Sequence, residues 1–567
     1  MSSTLSRRTF LSLGAVVPFA GSLSRLLPAV VGLPSGASSF VSVPPSRLAD
    51  TRPEQGVGGF TGLDPNTIRV QIAGRGGVPA NATTAVLNVT VVNTSLAGYV
   101  TVFPAGTTRP LASNVNIERA GQVIPNLVTV RLGAGGAVDI YTQSPADIVV
   151  DVNGAYVPVS DAVSAGRFVG LETAFRVLDT RDLGAKVALG ETRRVSVAAV
   201  VPATASAVVV NLTVTESNGP GFWTGFPAGG TQPDSSSVNT DAAKQTRANQ
   251  AILPIGTVAG VRGIDVFSSS GGHLVVDVAG YFSGPTDAPA ATGLFVPNAP
   301  YRTLDTRELA IGRLYAGWTV EFGYAGLAQS QAVVVNLTAT QTRRAGYFTG
   351  YPARTVRPLA SNLNASYSNQ TIANHAILRT STAGVAVYTQ GGAHLVVDVA
   401  GYFIGQPAQA VLPAPINIVP PPTPPAALPY ILDIPKLART GTVVEGIGKN
   451  IVDNGFIGHW PGTGFAGEQS HMVLFGHRTE HGGFFRYLDQ VGPGDEITLS
   501  TGDGRVFHYR YDRRDLTDST ASAIYNVGLQ SPLPSVSVVA CSKLNFLPTD
   551  VRFRIVVTFS LIGVDGE

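Results

Sequence analysis

The sequence predicts an all-β chain: three β-sandwich-like copies of one module, followed by a separate β domain. Three observations carry this. Short runs rich in Val, Thr and Tyr, such as Ala332-Val-Val-Val-Asn336-Leu-Thr338 and His394-Leu-Val-Val-Asp398-Val399, recur between Gly and Pro, and no long stretch has helical periodicity. One set of landmarks occurs three times along the chain. A proline-dense stretch then separates the copies from a C-terminal piece of different composition.

At 567 residues the chain exceeds one ordinary domain. With 39 basic against 37 acidic residues and 13% charged, it is neither a coiled coil, nor an acidic disordered chain, nor a strongly basic nucleic-acid binder. Its single cysteine, Cys541, excludes a scaffold stapled by intramolecular disulfides.

Residues 1–39 read as a leader. Ser6-Arg7-Arg8-Thr9-Phe10-Leu11, ahead of a weakly apolar stretch, resembles a twin-arginine export signal, with Ser12 where a basic residue is usual. The other reading is an ordinary secretory signal with two basic residues at its start. Both predict export, to the extracellular space or the cell surface. Gly14, Pro18 and Gly21 interrupt the stretch and Arg25 closes it, which leaves it short of the roughly 20 apolar residues a membrane helix needs.

The copies span residues 40–160, 161–285 and 286–405. Arg47-x-x-Asp50-Thr51-Arg52 returns as Arg176-x-x-Asp179-Thr180-Arg181 and Arg302-x-x-Asp305-Thr306-Arg307. Asn88-Val-Thr90 returns as Asn211-Leu-Thr213 and Asn336-Leu-Thr338, and Asp151-Val-Asn-Gly154 as Asp277-Val-Ala-Gly280 and Asp398-Val-Ala-Gly401. The Arg and Asp of these landmarks suit a grip on a glycan or phosphate. The simpler reading, preferred here, is that they pair and tie each copy's first strand to its last. The Asn-x-Thr triplets match glycosylation acceptors, but their place inside apolar runs marks them as strand pattern. The modules resemble repeats of exported actinobacterial proteins that accompany unrelated catalytic domains. That implies a spacer or surface-attachment role, with cell-wall glycan as a possible contact.

Residues 406–429 form a proline-rich linker, expected to be extended and semi-rigid. Residues 430–567 are of single-domain size and hold five of the eight histidines and the cysteine. Met472–Phe475 reads as a strand, with His477 just after it. Val536–Ala540 reads as another, with Cys541 at its end, and a polar loop leads to a third that begins at Arg554. If the last two strands are neighbours, thiol and guanidinium share one end of a sheet. The chemistry then has clear roles: Cys541 as thiolate nucleophile, His477 as proton carrier, Arg554 as oxyanion stabiliser.

This region resembles the sortases, cysteine transpeptidases of Gram-positive surfaces. Four segments carry the resemblance: Ile434-Pro435-Lys436-Leu437; Gly458-His459-Trp460-Pro461-Gly462-Thr463; Gly476-His477-Arg478-Thr479 with Phe485, Leu488 and Gly494-Asp495-Glu496-Ile497; and Cys541 with Arg554 thirteen residues later. The nearest branch is class E. The resemblance implies a β-barrel without cofactor or metal. Cys541 would attack the Thr–Gly carbonyl of an LPxTG- or LAxTG-type sorting signal, and His477 would serve the leaving and incoming amines. Arg554 would bind the substrate backbone and oxyanion, with Arg552 as the alternative. Implied partners are surface proteins bearing sorting signals and, as acceptor, a peptidoglycan precursor or pilin amine. Two features depart from the family. Ala540 stands where Thr usually precedes the cysteine, which suggests a missing hydroxyl beside the thioester, and some 400 residues of repeats stand where a membrane anchor is usual.

Rival readings are weaker. His477-x-x-Glu480-His481 spells a metalloprotease pattern that needs a helix, and Gly476, Gly482 and Gly483 oppose one, leaving His481 as a loop residue. His459, His471 and His508 read as structural. Leu437-Ala438-Arg439-Thr440-Gly441 matches a sorting signal but lies in the domain's first strand region, so it reads as coincidence. A buried structural role for Cys541 is set against its exposure to oxidation in an exported protein. The alternative function is a surface adhesin or structural display protein whose barrel is inactive, the motive being Ala540.

Overall fold

The computed structural model describes residues 32–309, 313–314, 316–411, 426–468, 470–520, 524, 534–543, 546 and 552–565. Residues 1–31 of the expected leader and residues 412–425 of the expected linker lie outside the described residues, and the leader's expected end at residue 39 falls inside a strand, Ser38–Asp50. Regular structure is almost entirely β, and the α-helix found among the described residues is the single turn Lys449–Val452. No helix among them is long and apolar enough to cross a membrane.

Each copy has two strand layers, and one layer of the first copy joins that of the third at Ser38 and Phe295 into a single eight-stranded sheet. In the first, Ser38–Asp50, Asp147–Pro158, Thr84–Val92 and Ile124–Arg131 pair in that spatial order, and a second sheet covers one face. The second copy repeats the order with Phe168–Asp179, His273–Phe282, Ala207–Thr215 and Arg247–Pro254. The third does so with Phe295–Asp305, His394–Ile404, Ser330–Thr340 and Ile372–Arg379. A separate apolar core fills each pair of layers. The opposite faces of these four-strand layers meet in one shared cluster, with Phe40 and Tyr156 from the first copy, Phe168 and Phe282 from the second, and Phe295 and Phe403 from the third. Burial on both faces explains why every residue of Thr84–Val92 is buried, the polar Thr84, Asn88 and Thr90 included, where a half-exposed strand would alternate. It also explains the glycine landmark. A Cβ on Gly154, Gly280 or Gly401 would lie 2.2, 2.6 or 2.4 Å from the ring of Phe40, Phe168 or Phe295.

The copies close into a ring. The Asn88 side chain donates to Ser236 O of the second copy (2.6 Å), Asn211 to Ser361 O of the third (2.7 Å), and Asn336 to Ser113 O of the first (2.8 Å). The Asn-x-Thr asparagines are therefore buried contacts between copies. The Arg and Asp landmarks tie each copy's ends as the simpler reading expects: Arg47 to Asp151, Arg176 to Asp277 and Arg302 to Asp398, at 2.9–3.0 Å.

His375 lies at the meeting point of all three copies. Its Nδ1 is 2.8 Å from Gln250 Oε1, which also accepts the Ile377 N–H, and its Nε2 is 3.0 Å from Thr129 Oγ1. Since Gln250 Oε1 is an acceptor, Nδ1 carries the proton of a neutral ring. Burial pushes the His375 pKa down to about 3. The unfolded chain binds a proton below its ordinary value near 6.5 that the folded ring refuses, so this contribution is complete above that pH and is lost as pH falls towards 3. Between pH 7 and pH 5 it removes about 2 kcal/mol of stability. Denaturant melts of His375→Gln at the two pH values are expected to show a pH difference smaller by that amount than in the parent.

The C-terminal region is a closed barrel. Its strands are β1 (Tyr430–Ile434), β2 (Arg439–Glu445), β3 (Ile457–His459), β4 (His471–Phe475), β5 (Glu496–Thr501), β6 (Val506–Asp518), β7 (Ser535–Ser542) and β8 (Phe553–Asp565). They close in the order β1-β2-β3-β4-β7-β8-β6-β5. Leu432, Leu474, Phe485, Val536, Val538, Ile555 and Val557 are among the side chains filling the interior. Thr440 and Gly441 of the Leu-Ala-Arg-Thr-Gly segment pair with Asp433 and Leu432, so presenting that segment as a substrate requires unpairing β1 from β2.

Candidate active site

The register of β7 and β8 sets Cys541 directly opposite Arg554. Opposite residues of an antiparallel pair project to the same face with Cβ atoms about 4.5–5.5 Å apart, so the thiol and the guanidinium stem are neighbours. Arg552 precedes β8 and is exposed, which leaves Arg554 as the arginine facing the cysteine. β4 runs parallel to β7 with Phe475 beside Val539, and the Gly476 N–H donates to Val539 O (3.3 Å). Two residues further on each chain come His477 and Cys541, so the strands bring all three candidate side chains to one end of the sheet. Val473, Val539, Val556 and Ile524 pack with Trp460 and Phe475 as an apolar cluster apart from the barrel core, and the Arg554 guanidinium lies 5.9 Å from the Phe475 ring centroid.

Alternation along β7 settles the place of Ala540. Val536, Val538 and Ala540 belong to the barrel core, whereas Val539 belongs to the outer cluster. The Ala540 methyl therefore points inward, and side chains at positions 540 and 541 lie on opposite faces of the strand. The expected gap beside the thiol corresponds to a filled position in the core.

His477 begins a turn. The Phe485 N–H donates to His477 O (3.1 Å), and the buried Phe485 ring anchors the far end of the turn in the core. A Cβ on Gly476 would lie 2.7 Å from that ring, so only glycine fits there. The His477 Nε2–H donates to Asp453 Oδ1 (2.8 Å), the residue that ends the short helix Lys449–Val452. This leaves the lone pair of the neutral ring on Nδ1. The same bond holds the Asp453 carboxyl below the usual carboxylate range. His481 completes a triangle. Its ring centroid is 4.9 Å from that of His477, and its Nε2 is 3.7 Å from Asp453 Oδ1. No helix spans residues 477–481, as the flanking glycines predict.

Arg478 is 1% exposed. Its Nη1 donates to Cys541 O (3.4 Å) and Ser542 Oγ (3.3 Å), and its Nη2 pairs with Asp489. It thereby fastens the histidine turn to the backbone of the cysteine. Sequence reasoning saw Arg478 only as part of a motif and missed Asp453 altogether. A charged residue directly after the histidine was the one available signal for Arg478, and Asp453 had none. The other histidines are tied into structure: His459 to Glu445 (2.6 Å) and Gly464 O (2.8 Å), His471 to Ser535 (2.8 Å), and His508 to Asp565 (2.8 Å).

Residues 432–561 match the sortase domain family. Over 113 residues the chain is 32% identical to sortase SrtE1 of Streptomyces coelicolor, a match that spans 19% of this chain and 31% of that relative. Among solved structures, sortase E1 of Streptomyces coelicolor is 25% identical, covering 24% of this chain and 88% of that one, with a TM-score of 0.21. The SrtA sortase of Actinomyces oris is 20% identical, covering 25% and 87%, with a TM-score of 0.23.

Proposed function

We propose that the C-terminal sortase domain is a working cysteine transpeptidase that cuts the Thr–Gly bond of an LPxTG- or LAxTG-type sorting signal and passes the acyl group to an amine at the cell surface. The observation that carries this reading is the pairing of Cys541 with Arg554 at the strand end where His477 follows β4. The basic Nδ1 of His477 suits it to take the thiol proton while Asp453 holds the ring from the other side. The thiolate then adds to the threonine carbonyl, and Arg554 neutralises the oxyanion. The C–N bond breaks, the leaving amine takes the proton from His477, and a thioester remains on Cys541. An incoming amine attacks the thioester and loses its proton to His477, and the thiolate departs. The partly exposed Trp460 and Phe475, backed by the buried Val539 and Val556, suit the apolar side chains of such a signal.

In this reading the leader exports the chain by a twin-arginine-type route, and the ring and proline-rich linker hold the barrel away from the surface. Acceptors of matching chemistry are the amine of a peptidoglycan precursor or of a pilin. The ring's contact with wall glycan is tested by a glycan-binding screen of residues 40–405.

The enzymatic reading is tested with LPxTG and LAxTG peptides plus an amine, monitored by mass. The parent is expected to yield an acyl-enzyme on Cys541 and the amide product, and Cys541→Ala neither. Equal product from both proteins would remove the reading.

A further inference from the structure

The triangle of Asp453, His477 and His481 has a use that transpeptidation leaves open. Each residue offers one ligand atom, and these atoms lie within 4.8 Å of one another. Two imidazoles and one carboxylate match a zinc-type donor set, which favours nitrogen with carboxylate oxygen in tetrahedral geometry and leaves a fourth position for water. The approach is built into the backbone. His481 is held at φ 48°, a left-handed conformation uncommon for a residue with a side chain, and Gly482 and Gly483 continue at φ 87° and 52°. The Gly483 N–H to Glu480 O bond (2.8 Å) and the Phe485 N–H to His477 O bond (3.1 Å) close the turn. The three side chains are half-buried or exposed, so an ion reaches them from solvent. Lys449, one helical turn before Asp453, is the nearby opposing charge.

We propose that Asp453, His477 and His481 form a binding site for a divalent zinc-type cation, and that occupancy switches the transpeptidase off by taking the His477 imidazole out of proton transfer. The site stands on this geometry alone, whereas its inhibitory effect rests on the proposed function above. Coordination through His477 Nε2 requires the neutral tautomer with its proton on Nδ1, so the ring proton moves from Nε2 to Nδ1 and the nitrogen that would take the thiol proton loses its lone pair. No bond to substrate forms or breaks. His481 has no part in the transfer chemistry, so it serves as the sensor.

The test uses the full chain stripped of metal and titrated with Zn2+ by calorimetry and with Co2+ by visible absorption. A Cys541→Ala background removes the thiol as a competing ligand. That protein is expected to bind one Zn2+ per chain and to give the intense visible bands of tetrahedral Co2+. Adding His481→Ala is expected to weaken binding roughly tenfold or more. With Cys541 present, Zn2+ is expected to stop transpeptidation and a chelator to restore it. His481→Ala alone is expected to keep its basal rate and need at least about tenfold more Zn2+ for the same inhibition. Absence of Zn2+ binding in the Cys541→Ala protein, or equal binding with and without His481, overturns the site. Binding that leaves an active enzyme uninhibited overturns the switch. If the parent proves inactive on every peptide, the proposed function fails while the binding arm still decides the site.

Discussion

Replacing Arg554 by alanine is expected to lower kcat for transpeptidation about 10²–10³-fold, the usual loss for one donor aimed at a developing oxyanion. The effect is large because Arg554 stands opposite Cys541, the proposed nucleophile, in register, with its stem on the thiol's face. Steady-state kinetics separate its roles. Loss of kcat and kcat/KM together marks an interaction made in the transition state, whereas a rise in KM alone marks ordinary substrate binding. Arg554→Lys keeps the charge but loses the planar fork, so it is expected to recover only a small part of the rate. Arg552→Ala, at the exposed position just before β8, is expected to stay within about twofold of the parent. A full loss in Arg552→Ala with none in Arg554→Ala would falsify the assignment.

Arg478→Ala is expected to destabilise the barrel by about 3 kcal/mol, because it removes a buried cation and strips Asp489 of its partner. The Asp489 side chain is 33% exposed and rehydrates in part, which keeps the loss at the lower end for broken buried pairs. The contacts to Cys541 O and Ser542 Oγ, at 3.4 and 3.3 Å, are long and add little energy. Their effect is on position: they hold the cysteine's strand end against the histidine turn. Arg478→Lys is therefore expected to recover more than half of the stability but less of the activity. Denaturant unfolding read at Trp460, the only tryptophan in the barrel region, reports the stability, and thioester formation reports the position.

Both residues show how differently parts of the site could be read. Cys541, His477 and Arg554 each stand at the boundary of a short apolar run, and such boundaries are visible from composition alone. The strand identities were legible for the same reason. Asp453 sits on a single helical turn, 24 residues before His477, in a stretch without period or motif. Arg478 was in plain view, but whether an arginine beside a turn is solvated or buried depends on what folds over it. Ala540 is set by the pleat of β7, which sends neighbouring side chains to opposite faces, and a composition-level pattern does not carry that. The His477-x-x-Glu480-His481 pattern demands a helix to bring its histidines together, yet a turn with a left-handed residue brings the same two rings together.

The amino-acid sequence by itself determined the all-β class, the threefold internal pattern and the candidates Cys541, His477 and Arg554. These rest on local alternation, glycine and proline punctuation, and residue chemistry, all of which lie within a few positions along the chain. Only the tertiary structure decided that the three copies close through Asn88, Asn211 and Asn336 into a ring with one shared aromatic core. It alone decided that Arg554 faces Cys541 and that Asp453 and His481 flank His477. The physical reason is that pairing register and packing between copies join residues tens to hundreds of positions apart, and no local period in the chain encodes such a contact.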